Sequence, residues 1–187
     1  WQDLTFANFN NMKNWLYEKI EQLNKELFEK SQRKNKKMGT TIVTVGIFDN
    51  QVVVYNIGDS SAYGLTRDNE MNVLTVEDSF VGALISAGAI TEEEAKNHPK
   101  KNVLMKALGT NNPIEIDIFD CDLDVDGILL ASDGLTNMLD KEKIMTVLNS
   151  NEPIQDKVIK LIAKANNRGG TDNISVAYVD FKEGVKK

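Results

Sequence analysis

The chain has 187 residues, 41% apolar and 27% charged, with a formal net charge of -6. That balance is ordinary for a folded protein of about one domain, so residues 1–187 are read as a single domain. The acidic charge argues against a nucleic-acid binder, which would carry a basic face, and no apolar run reaches the length of a membrane span.

Residues 3–35 read as a helix. Phe6, Phe9, Met12, Leu16, Ile20, Leu23 and Leu27 recur at threes and fours and draw one apolar stripe. Asp3 or Thr5 is positioned to cap its start, and the basic run Lys30 to Lys37 reads as a solvated helix end. Residues 39–48, rich in β-branched side chains, predict a strand. After the turn Asp49-Asn50, residues 51–57 return as its hairpin partner. After a turn at Gly58-Asp59-Ser60-Ser61 the strand order continues over 62–65, and 71–74 closes a meander that begins with the hairpin. Residues 79–88 predict a short helix stopped by Gly88. Thr91 with Glu94 has the capping-box spacing for another, ended by His98-Pro99. Ile114 to Ile118 alternates like a half-buried strand, and 127–131 reads as a buried strand. Residues 137–148 predict an amphipathic helix. Pro153 opens the last helix, which carries Val158, Leu161, Ile162 and Ala165, and 174–181 is the final strand. Runs of strands with segregated helices indicate α+β with mainly antiparallel sheets.

Two acids stand out. Asp133 follows the apolar run Ile128 to Ala131 and precedes Gly134; Asp172 follows Gly169-Gly170 and precedes the last strand. A carboxylate at the end of a buried strand needs a partner. One partner is a hard divalent cation, which prefers carboxylate oxygens. The other reading is a turn, because Asp before Gly and Asx turns are common. The single cysteine, Cys121, excludes an internal disulfide and a Cys-based zinc cluster. With His98 as the only histidine, a metal here is held by oxygen, so magnesium, manganese or calcium fits better than zinc. Cys121 has no activating neighbour and reads as a packed side chain. Asp59 reads as a turn residue. Cysteine usage fits a reducing cytoplasm. No secretory signal is visible, and Trp1 in place of an initiating Met reads as a cut end.

Five short motifs in order give the chain a resemblance. They are Met38-Gly39-Thr40-Thr41, Gly58-Asp59-Ser60, His98-Pro99 with Asn102-Val103-Leu104, Ser132-Asp133-Gly134-Leu135, and Gly169-Gly170-Thr171-Asp172-Asn173. Together they resemble the metal-dependent protein serine/threonine phosphatases of the PP2C (PPM) family, bacterial branch. The resemblance implies a sandwich of two mainly antiparallel sheets flanked by helices. It also implies two Mn²⁺ or Mg²⁺ ions, or three, and attack by an activated water on a phosphoserine or phosphothreonine. Asp133 and Asp172 would be ligands of one ion. Phosphoprotein substrates, opposition to a Ser/Thr kinase pathway and a cytoplasmic setting follow as expectations.

Two departures qualify the match. The family's N-terminal Asp-Gly, whose Asp bridges the metals, and the phosphate-gripping Arg ahead of it are not in these residues; neither are the strands that carry them. The 187 residues alone are therefore expected to lack activity. Where the family has Thr-x-Asp-His, this chain reads Thr75-Val76-Glu77-Asp78. Glu77 or Asp78 is then the candidate for a third metal. His98 has two readings, general acid or anchor of a helix end and loop. The alternative to an enzyme is a non-catalytic phosphatase-like regulatory or binding module. The reading frame upstream of Trp1 discriminates between them.

Overall fold

The structure is a computed structural model that describes residues 5–122 and 125–181. The elements are α1 (Phe9–Lys34), β1 (Ile42–Phe48), β2 (Gln51–Ile57), β3 (Ser61–Leu65), β4 (Met71–Val73), α2 (Phe80–Ser86) and α3 (Glu92–Lys96). They continue with β5 (Asp117–Asp122), β6 (Gly127–Ala131), α4 (Asp133–Thr136), α5 (Lys141–Leu148), α6 (Ile154–Asn167) and β7 (Val176–Asp180). The strands form two sheets, β1-β2-β5 and β4-β3-β6-β7, and every pairing is antiparallel. The α+β class with two antiparallel sheets and helices is as expected. The meander is not: β3 does not follow β2 in one sheet, because the chain changes sheet at Gly58-Asp59-Ser60. Gly58 has φ +108°, and a Cβ there would lie 2.4 Å from Thr41 Cγ2. Glycine alone makes that turn without strain.

The described residues fall into two compact units. The first holds α1, β1, β2, α2, α3 and β5. Asn8 caps α1 by accepting a hydrogen bond from the Asn11 N–H at 2.9 Å. Thr5 is therefore not the cap, and Asp3 lies outside the described residues. Arg33 and Lys34 close the last turn, where cations complement the helix dipole. Met12 and Ile20 are buried, and Phe6, Phe9, Leu16 and Leu27 pack against the same core as Val53, Tyr55 and Ile57. Leu23 breaks the predicted stripe at 49% exposed, while the neighbouring Asn24 is 1% exposed. The reason is a loop that needs partners. Asn24 Oδ1 accepts from the Gly109 N–H at 2.7 Å and Nδ2 donates to the Asn111 carbonyl at 2.9 Å, and buried backbone groups must be paired. The strand predicted at 114–118 lies instead at Asp117–Asp122, in register from Asn56↔Asp117 to Gln51↔Asp122. Ile114 and Ile116 still pack into the core, but without a ladder.

The second unit holds β3, β4, β6, β7 and helices α4 to α6. Leu129, Leu135, Ile144 and Leu161 lie at the centre of its core. The helix predicted from 137 begins at Lys141, because Asp140 caps it and accepts from the Lys143 N–H at 3.0 Å. Along α6 the buried positions are Lys157, Leu161 and Ala165; Val158 is only half-buried. The last strand is shorter than predicted. Among the described residues, no helix is long and apolar enough to cross a membrane.

Candidate metal centre

β6 runs buried to Ala131 and delivers Ser132 and Asp133 at its end. Ser132 stands at the N-cap of α4, but its hydroxyl does not cap the helix. It donates to the Asn173 carbonyl at 3.0 Å and accepts from the Ser175 N–H at 3.0 Å. The Ser132 N–H donates to the Ser175 carbonyl at 3.0 Å. Three hydrogen bonds thus lock the loop after β6 to the loop before β7. Gly134 completes the fit. A Cβ there would lie 2.3 Å from the Asn173 carbonyl oxygen, so only glycine allows this approach.

That contact brings together the two predicted acids. Asp133 is half-buried; Asp172 is exposed. Burial, and then the charge of Asp172, hold the Asp133 carboxyl above the ordinary carboxylate range. The Gly134 N–H and the Asn137 side chain, which donates from Nδ2 at 3.2 Å, pull the other way without reversing it. Asp172 Oδ1 accepts from the Asn173 N–H at 2.7 Å. Neither carboxylate forms an ion pair among the described residues. Two neighbouring carboxylates with no ion pair among the described residues fit a hard divalent ion, which would offset their repulsion. They are a partial shell only: no group of three or more His, Cys, Asp or Glu able to hold a metal occurs among the described residues.

The other predicted site residues belong to the first unit. Glu77 is exposed, with the Ser79 hydroxyl 3.5 Å from its Oε2. Asp78 is buried and faces inward. Its Oδ2 accepts from the Gly58 N–H at 2.9 Å and its Oδ1 meets Lys106 Nζ at 2.7 Å. Both of its oxygens thus meet protein donors. His98 Nδ1 accepts from the Lys100 N–H at 3.1 Å, and its ring lies 5.7 Å from that of Phe80. Its backbone accepts from the Lys101 N–H. Both bonds lie within the turn that follows α3.

Sequence reasoning passed over three residues. Ser132 was visible only as a letter in a motif, since its partners are more than forty positions away. Asn137 stands four residues after Asp133 and was findable from helical spacing. Lys106 carried no local signal.

The protein phosphatase 2C family model matches residues 5–169, a span that includes Asp133 and stops short of Asp172. The chain is 38% identical over 184 residues to the serine/threonine phosphatase Stp of Listeria welshimeri, covering 96% of this chain and 73% of that protein. A solved Streptococcus agalactiae serine/threonine phosphatase superposes with a TM-score of 0.87 at 38% identity, covering 95% of this chain and 74% of the other. The catalytic domain of the serine/threonine protein phosphatase PstP, solved in complex with two manganese ions, superposes with a TM-score of 0.82 at 28% identity, covering 95% and 74%. With most of its length matched in both sequence and fold, the chain belongs to the protein phosphatase 2C family.

Proposed function

We propose that this protein hydrolyses phosphoserine and phosphothreonine in proteins, with Asp133 and Asp172 as ligands of one catalytic Mn²⁺ or Mg²⁺. The observation that carries this reading is the lock made by Ser132 and Gly134, which joins the loops that carry the two carboxylates, close enough that the charge of Asp172 raises the Asp133 carboxyl. When bound, such ions make a nucleophilic water available near neutral pH and offset charge on the phosphoryl oxygens. The chain's own residues do the rest. Ser132 fixes the spacing of the two acids. Asn137 holds one oxygen of Asp133 and so orients the other. Glu77, exposed beside the buried Asp78, is the carboxylate offered to a further ion, while Asp78 and His98 hold backbone. We propose one phosphatase domain, in a bacterial cytoplasm, acting on phosphoproteins of a Ser/Thr kinase pathway.

The test is manganese-dependent phosphate release from a phosphothreonine peptide by the protein carrying these residues in its natural reading frame. Asp133→Asn and Asp172→Asn should each reduce turnover by orders of magnitude. A second reading, a non-catalytic module, is favoured by the two-carboxylate count among the described residues. It predicts no release by the parent protein, with phosphopeptide binding retained.

A further inference from the structure

The loop that carries Asp172 is short and rich in glycine. It leaves α6 at Arg168 and turns through Gly169, φ +129°, and Gly170, φ +51°. Among the described residues, no hydrogen bond ties Gly170, Thr171 or Asp172 to another segment. A backbone stretch with two glycines has much conformational freedom to lose. Its position is therefore set at its two ends. At the far end, Ser132 holds Asn173 and Ser175. At the near end stands Arg168. Its backbone N–H closes α6 on the Ala165 carbonyl at 3.1 Å, and Ala165 is buried in the core of the second unit. Its guanidinium turns back: Nη1 donates to the Met138 carbonyl at 3.1 Å and lies 4.0 Å from Asp140 Oδ2. Met138 follows Asn137, whose amide holds Asp133. Both ends of the Asp172 loop are thus fastened to one stretch, residues 132–140, which also carries Asp133.

We propose that Arg168 is a positioning residue for the proposed metal centre: a second anchor that holds the Asp172 loop to the Asp133 segment and so preorganises the two carboxylates for a divalent ion. This rests on the reading of Asp133 and Asp172 as ligands. Arg168 bonds to neither carboxylate, so it acts only through the loop. An ion that must first order a loop binds more weakly by the cost of ordering it. The charge of Arg168 works in the other sense. A cation near the site repels a second cation, so losing that charge without losing the position would strengthen metal binding. The contact with Asp140 is half-exposed on both sides and adds little. Position and charge therefore predict opposite signs for the same substitution.

The experiment compares the natural protein with Arg168→Met, Arg168→Lys and Arg168→Gln by calorimetric titration with Mn²⁺ in about 0.5 M salt, where the charge effect is largely screened. Arg168→Met should bind Mn²⁺ about three- to tenfold more weakly, the worth of one lost hydrogen bond. Arg168→Lys keeps a long side chain with a donor for the Met138 carbonyl and should stay within about twofold of the parent. Without metal, the backbone order parameters of the Gly170 and Thr171 amides should fall below about 0.6 in Arg168→Met, against about 0.85 for rigid backbone. Arg168→Gln, too short to keep the bond, serves if Arg168→Met does not fold, and the same loss is expected. Unchanged or tighter Mn²⁺ binding in Arg168→Met, or an equal loss in Arg168→Lys, overturns the anchor. If the parent binds no Mn²⁺, the ligand reading fails; the order parameters then decide the anchor alone, and parent-like values overturn it.

Discussion

Gly134→Ala puts the geometry of the proposed metal centre under direct test. The added Cβ would sit 2.3 Å from the Asn173 carbonyl oxygen and 3.0 Å from its carbon, against ordinary contacts of 3.4–4 Å. The obstacle is backbone, so no side-chain rotation relieves it. The loop before β7 must retreat by roughly 1 Å or the turn after Asp133 must deform, and overpacking of this kind costs about 1–3 kcal/mol. The retreat works against the Ser132 bonds to Asn173 and Ser175, both already at 3.0 Å. It also moves Asp172 relative to Asp133. Metal sites tolerate only a few tenths of an ångström in ligand position, and losses in the supporting shell cost about 10- to 100-fold in metal affinity. Urea unfolding should therefore show a loss of about 1–3 kcal/mol. Manganese titration by calorimetry should show weaker binding by at least about tenfold. A Gly134→Ala protein that binds Mn²⁺ as tightly as the parent would refute the idea that this loop contact sets the carboxylate spacing.

Three further outcomes are expected. Asp133→Asn should stabilise the metal-free protein. The folded Asp133 carboxyl sits above its ordinary value, chiefly from burial and then from Asp172; the folded state therefore holds this proton more tightly, and stability falls as pH rises from about 4 through the folded value. The gain from Asp133→Asn should be larger near neutral pH than near pH 4, and Mn²⁺ should raise Tm in the parent only; the same gain at both pH values would contradict it. Asn24→Ala removes the acceptor for the Gly109 N–H and the donor to Asn111, and should cost about 2–3 kcal/mol in chemical denaturation. Glu77→Ala should lower turnover on a phosphothreonine peptide while leaving tight manganese binding unchanged; parent-like rates across a manganese series would remove Glu77 from the site.

The sequence made local features legible and left the distant partnerships hidden. Hairpin bounds at 51–57 came from alternation and turn residues, which act within a few positions. The Thr91 capping box came from a three-residue spacing, and both of its bonds are present. Misplaced boundaries have tertiary causes. The strand expected at 114–118 alternates because Ile114 and Ile116 pack into the core, yet β2 offers its ladder only from Asp117 onward. Leu23 fits an ideal stripe, but Asn24 goes inside because a loop more than eighty residues away requires its amide. In the site, the acids were legible as the ends of two motifs. Ser132, which joins them, was not, since a serine before an aspartate looks like any helix cap.

Asp78 and Asp133 are two acids in unlike surroundings. Both carboxyls are pushed above the ordinary range, and in both burial is the larger cause. Burial alone therefore does not separate them; what stands opposite does. Asp78 faces the Lys106 ammonium at 2.7 Å and the Gly58 N–H at 2.9 Å. Each of its oxygens thus has a protein donor opposite it. Asp133 feels the charge of a second carboxylate, Asp172, and accepts from the neutral amide of Asn137. Such an arrangement costs stability in the metal-free chain and persists only because Ser132 and the Gly134 contact overdetermine it. In the proposed reading, a bound divalent cation would offset that cost. In urea unfolding near neutral pH, Asp133→Asn should therefore come out more stable than Asp78→Asn, whose new amide N–H would face the Gly58 N–H or the Lys106 ammonium.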